Sequence, residues 1–124
     1  LYRFGERVFN LQRAIDVREG RRGRDFDNLP DRCFNEPLQF DIMNPDCLVP
    51  GKNGEIACRK GAVIDRNEFE KMKDEYYQLR RWDVATGLQT RICLEELGLE
   101  DIIEDLDRRG LLGDAGYDES HGEW

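Results

Sequence analysis

A chain of 124 residues has room for one domain, and with 39% apolar and 37% charged residues it has little to spare for a core. Its formal charge of −8 argues against nucleic acid, whose phosphates are bound by clustered positive charge. No apolar run approaches the ~20 residues needed to span a bilayer and no signal segment opens the chain, so no membrane partner and a cytoplasmic location are expected.

The first element is an amphipathic helix. Leu1, Phe4, Val8, Leu11 and Ile15 recur at spacings of three and four, widened by Phe9 and Ala14, and Gly20 is a natural stop. This pattern is already under way at residue 1, with no initiator Met and no capping residue ahead of it. Upstream sequence is therefore expected to belong to the same protein. The basic stretch Arg18, Arg21, Arg22 and Arg24 has Glu19 and Asp25 among it and reads as a solvated loop rather than an anion site.

From Gly20 to about Val63 no period is sustained, and Gly23, Pro30, Pro37, Pro45, Pro50, Gly51, Gly54 and Gly61 break the stretch. Leu29, Phe34, Leu38, Phe40, Ile42 and Leu48 favour a packed coil over a disordered one. Pro50 to Gly54 is a turn, and Glu55 to Cys58 with Ala62 to Ile64 are expected to form a short β-ribbon around it. Cys33, Cys47, Cys58 and Cys93 contain no C-x-x-C pair and read as four reduced thiols. A disulfide or a zinc site between Cys47 and Cys58 is the remaining option.

Asp65 opens a second helix, with Glu68 completing a capping box. Phe69, Met72, Tyr76 and Leu79 follow as a stripe expected to be buried. Asp83 to Gln89, with Gly87, is a loop. Thr90 caps a third helix carrying Ile92, Cys93 and Leu97, stopped by Gly98. Leu99, Ile102, Ile103 and Leu106 form a fourth, closed by Gly110. The sequence thus predicts a mainly α fold of about four helices, near 2–18, 66–80, 90–97 and 100–109, with a long irregular loop and a short ribbon. Residues 1–112 form the helical domain, and 113–124 an acidic tail in which His121 is solvated.

No chemistry emerges from the residue pattern. The only histidine lies in the tail, which leaves no base for a catalytic triad. Gly20-Arg21-Arg22-Gly23 lacks the flanking strand and helix of a phosphate loop. Glu95, Glu96, Glu100, Asp101, Glu104 and Asp105 fall mainly on exposed helical faces. No residue is nominated as catalytic, cofactor-binding or metal-binding, and the chain alone is expected to be inactive and without cofactor.

Several strings nevertheless resemble the closing part of the tungsten-containing aldehyde ferredoxin oxidoreductase family. They are Gly5-Glu6-Arg7-Val8-Phe9-Asn10-Leu11-Gln12-Arg13-Ala14, Arg18-Glu19-Gly20 and Asp27-Asn28-Leu29-Pro30-Asp31-Arg32. Further on come Asp74-Glu75-Tyr76-Tyr77-Gln78-Leu79-Arg80-Arg81-Trp82-Asp83, Thr86-Gly87 and Leu94-Glu95-Glu96-Leu97-Gly98-Leu99. The resemblance implies the C-terminal helical domain of an enzyme that oxidises aldehydes to carboxylic acids. Such an enzyme uses tungsten (or molybdenum) held by two pterin dithiolenes, and passes electrons through one [4Fe–4S] cluster to ferredoxin or an iron–sulfur subunit. The cluster cysteines of that family lie before the matched stretch, so none of its ligands is carried onto this chain.

Two departures stand out. Arg81 stands where the family commonly has glycine, and Gln39 to Lys60 is longer than in short members. The longer form occurs in the branch that includes the tungsten subunit of a benzoyl-coenzyme A reductase, which makes acyl-CoA ring reduction a variant reading. A different class is a free-standing acidic helical interaction module. Under the family reading, the partners are the preceding domains of the same chain. Leu1, Phe4, Phe34, Leu38 and Phe40 are then candidates for an exposed apolar patch, which when left uncovered would either drive homo-oligomer formation or leave the long loop disordered.

Overall fold

The computed structural model describes residues 1–114. They divide into a helical unit, Leu1–Asn28 with the chain from Met72 onward, and a ribbon unit, Leu29–Lys71. The elements are α1 (Tyr2–Arg18), α2 (Arg32–Asn35), β1 (Leu48–Pro50), β2 (Ile56–Cys58), α3 (Arg66–Arg80), α4 (Arg91–Glu96) and α5 (Glu100–Arg108), with 3-10 turns at Gly23–Asp25 and Lys52–Gly54. The fold is mainly α, and all four expected helices are present within a residue or two of their expected bounds.

The caps explain those bounds. Asp65 Oδ1 accepts the Glu68 amide at 2.9 Å at the start of α3, and Thr90 Oγ1 accepts the Cys93 amide at 3.3 Å at the start of α4. The exits share one geometry. Just beyond each of α1, α3, α4 and α5, two residues past α3 and three past the others, an amide donates back five positions. These bonds are Arg21 to Asp16, Trp82 to Tyr77, Leu99 to Leu94 and Leu111 to Leu106, at 2.8–2.9 Å. The residue before each donor is left-handed in every case: Gly20, Arg81, Gly98 and Gly110. This is the double-bonded helix terminus that glycine ordinarily serves, and only α3 builds it with a side chain.

The core of the helical unit joins Ala14 and Val17 of α1, Leu94 of α4, and Leu99, Ile103, Leu106 and Leu111 in and around α5. A second cluster, Tyr77, Trp82 and Cys93, packs with Val84 and Leu97. Trp82 lies flat against Phe9, with centroids 6.0 Å apart.

The side that α1 buries is not its apolar one. Leu1, Phe4, Val8, Leu11 and Ile15 are all exposed, while Glu6, Asn10, Ala14 and Val17 are buried. Small Ala14 and branched Val17 reach the core, and hydrogen bonds satisfy the polar pair. The stripe expected to be buried on α3 also differs: Met72 and Leu79 are 65% and 69% exposed, and the buried aromatic is Tyr77.

In the ribbon unit, Phe34 packs edge-on against Phe69 at 5.4 Å, and the Arg66 guanidinium lies 4.1 Å from the Phe34 centroid. Phe34 is therefore buried, contrary to its place in the expected surface patch, whereas Leu1, Phe4, Leu38 and Phe40 are exposed. The ribbon pairs β2 with β1, in the register Leu48 opposite Cys58 and Pro50 opposite Ile56. Ala62–Ile64, the expected partner of β2, bonds elsewhere: Leu38 donates to the Ala62 carbonyl at 2.9 Å, and Ile64 to the Cys33 carbonyl at 3.0 Å. The reason is the turn. Asn53 and Gly54 are both left-handed, which reverses the chain at once and pairs β2 with what immediately precedes the turn.

Candidate functional site

Asn10 is fully buried at the middle of α1, and its side chain gathers the helical unit. Its Oδ1 accepts from Trp82 Nε1 at 2.9 Å, Gln89 Nε2 at 2.9 Å and Cys93 Sγ at 3.6 Å. Its Nδ2 donates to the Glu6 carbonyl at 2.9 Å, one turn earlier. Gln89 also donates to the Asn10 carbonyl at 2.8 Å. Donors from α4 and from the loop that follows α3 thus converge on one amide oxygen. Burial without these partners would be expensive, so the network fixes the packing of α1.

A turn further along, Arg13 grips Asp27 through two bonds of 2.6 Å and donates to the Gly87 carbonyl at 2.8 Å. Tyr77 donates its hydroxyl to Asp27 at 2.5 Å. Burial alone would raise the Asp27 pKa, but the bonds from Arg13 and Tyr77 win and hold it below the usual carboxylate range. Burial, and then the bond to Asp27, push the Tyr77 hydroxyl well above its ordinary value. Arg24 adds an ion pair with Asp74 at 2.6 Å and a bond to the Val84 carbonyl at 2.8 Å. It is not the solvated residue expected of the basic stretch; Arg21 and Arg22 are exposed.

The helical unit also holds a pocket of about 420 Å³, between the start of α1, the end of α3 and α4. Tyr2, Arg3 and Glu6 line it from α1, and Cys93, Glu96 and Leu97 from the α4 side; Arg80 and Arg81 close it. Arg80 pairs with Glu6, Arg81 pairs with Glu96, and Arg3 donates to the Glu96 carbonyl at 2.6 Å. Burial pushes the Cys93 thiol up to about 11, so at neutral pH it is an uncharged wall and a poor nucleophile.

The sequence nominated no site residue, and it gave no notice of Asn10, Gln89, Trp82 or this pocket. One signal was present: Glu6, Asn10 and Arg13 recur at four and three, a polar stripe on α1 beside the apolar one. The four cysteines are free thiols, Cys47 and Cys93 buried, Cys33 half-buried and Cys58 exposed. The Sγ of Cys58 donates to the Asp46 carbonyl at 3.3 Å. Among the described residues no three of His, Cys, Asp or Glu gather to hold a metal ion. No helix among them is long and apolar enough to cross a membrane. His121 and most of the expected tail lie outside the described residues.

The family model described as "Aldehyde ferredoxin oxidoreductase, domains 2 & 3" matches residues 1–99, from α1 through α4. No curated protein and no solved structure matches the chain. With 99 of its 124 residues inside that one model, the chain belongs to the aldehyde ferredoxin oxidoreductase family.

Proposed function

We propose that this chain is a helical packing domain of an enzyme that oxidises aldehydes to carboxylic acids with ferredoxin as electron acceptor. The reaction would use tungsten or molybdenum on two pterins and one [4Fe–4S] cluster, held by the preceding domains of the whole protein. The observation that carries this reading is the family match over residues 1–99. The outward apolar stripe of α1 supports it. Phe4, Val8, Leu11 and Ile15 follow a heptad spacing, as a seam against another element of the whole protein would require. In this reading the preceding domains of the same chain cover that stripe, and the whole enzyme works in the cytoplasm.

The test is the whole protein purified without oxygen. Aldehyde-dependent reduction of ferredoxin, with tungsten or molybdenum and about four irons per chain, is the expected result. A protein with neither the metals nor the activity overturns the proposal. The acyl-CoA variant rests on the long segment between α2 and α3, which contains the ribbon of β1 and β2. Reduction of benzoyl-coenzyme A by the same preparation, with no turnover of aldehydes, would favour it.

A further inference from the structure

Four helices of the helical unit end in the same double-bonded corner, and three of them place glycine at its left-handed position. The fourth places Arg81 there, with φ 60°. A side chain in that conformation is strained relative to glycine, and such strain persists where the side chain serves something else. Arg81 is 91% buried, and its guanidinium lines the pocket, where it meets Glu96.

The pocket has the size and make-up of a small-molecule site. Tyr2, Leu97 and the neutral Cys93 give it apolar surface, and its charged lining counts three guanidiniums against two carboxylates. That local excess of positive charge stands out in a chain of net charge −8. Glu96, the partner of Arg81, is half exposed and so can yield the guanidinium to a competing anion, while Glu6, the partner of Arg80, is buried. Arginine forks match carboxylates in two parallel bonds.

We propose that this pocket binds a small monocarboxylate with an apolar tail, its carboxylate replacing Glu96 on Arg81 and its tail lying against Leu97 and Tyr2. The inference rests on the geometry of the helical unit and stands whether or not the whole protein oxidises aldehydes.

The experiment is calorimetric titration of the whole protein with benzoate, with benzyl alcohol as the uncharged counterpart and inorganic phosphate as the tail-less one. Benzoate should bind at least about tenfold more tightly than either, because a charged hydrogen bond in a partly desolvated site is worth that much. Arg81→Gly puts at the corner the residue that geometry prefers, so it should fold with an unchanged or higher Tm and lose benzoate binding by about tenfold or more. Glu96→Gln, which removes the competing carboxylate, should bind benzoate several-fold more tightly. A purely structural Arg81–Glu96 pair predicts no gain from Glu96→Gln. The proposal is overturned by no benzoate binding, by equal binding of benzyl alcohol or phosphate, or by unaltered benzoate binding in Arg81→Gly.

Discussion

Trp82 and Asn10, 72 positions apart, are joined by a 2.9 Å bond from the indole N–H to the amide oxygen, with both residues buried. Gln89 and Cys93 direct donors at the same oxygen. Asn10→Leu is close in size but strips the acceptor from all three. With each stranded buried donor worth about 1–3 kcal/mol, the substitution should lower unfolding free energy by about 2–4 kcal/mol in urea. Asn10→Asp keeps the acceptor but loses the donor to the Glu6 carbonyl and buries a charge, so it should be destabilising too; a loss well under about 1 kcal/mol in Asn10→Leu would remove the network from the account of stability.

The Asp27 carboxylate predicts an acid limb in the stability curve. Its folded pKa lies below its unfolded value, so the folded state binds its proton less readily. The stabilisation is present above the unfolded pKa of about 3.9 and is lost as pH falls through the lowered folded value. Asp27→Asn should therefore narrow the stability difference between pH 7 and pH 3. Tyr77 predicts the opposite limb: its raised pKa favours the folded state until pH rises past the unfolded value of about 10, where that contribution begins to fall. Tyr77→Phe should flatten the alkaline limb and, by removing one of the bonds that hold the Asp27 pKa down, soften the acid limb as well, as read from Tm against pH.

Two glycines hold the turn after α1 against the loop after α3. A Cβ on Gly23 would meet the Thr86 carbonyl oxygen at 2.0 Å, and one on Gly87 would meet the Arg24 amide nitrogen at 2.9 Å and the Tyr77 ring at 3.0 Å. Both positions also have positive φ. Gly23→Ala should cost more than about 2 kcal/mol, because backbone stands in the way. Gly20→Ala meets nothing within 4 Å and should cost only the conformational part, about 1 kcal/mol. Equal losses in a side-by-side thermal melt would show that the close approach is not what constrains Gly23.

The outward stripe of α1 predicts association of the isolated chain. Val8 and Leu11 are 58% and 41% exposed, so Val8→Glu with Leu11→Glu should change unfolding free energy by no more than about 1 kcal/mol in total. The same pair should shift light scattering from oligomer towards monomer, since exposed apolar area drives association. In the whole protein it should instead weaken the packing of this domain. A wild-type chain that is cleanly monomeric at high concentration would count against an uncovered interface.

The cysteines differ in reach. Cys58 is exposed, whereas Cys93 is buried with its thiol raised to about 11. Iodoacetamide at pH 8 should label Cys58 first and Cys93 last, as peptide mapping would show. Early labelling of Cys93 would mean that the pocket wall opens on the timescale of the reaction.

Helix positions were legible because they rest on local chemistry: Asp65 and Thr90 at the starts, Gly20, Gly98 and Gly110 at the ends. Which side faces inward was not. Periodicity finds an apolar stripe but does not say which chain covers it, and on α1 the polar positions Glu6 and Asn10 turned inward while Phe4 and Val8 turned out. The ribbon was half legible. Its Asn53-Gly54 turn marked the reversal, and reading that pair as a tight hairpin would have placed the partner strand at Leu48–Pro50. The pocket was illegible because Arg3, Arg81 and Glu96 come together only after three helices pack, and no spacing in the sequence encodes that meeting.

One oxygen serving three donors also ties the evolutionary fates of distant positions. Any relative that replaces Asn10 by an aliphatic residue strands the indole of Trp82 and leaves the Gln89 amide with only the backbone carbonyl of position 10. Such a change is tolerable only alongside compensating changes at 89 and 82, with Cys93 released to become alanine or valine. Positions 10, 82, 89 and 93 should consequently covary as a set across homologues, more strongly than any of them does with the outward stripe of α1, whose residues should instead track the sequence of whatever covers them.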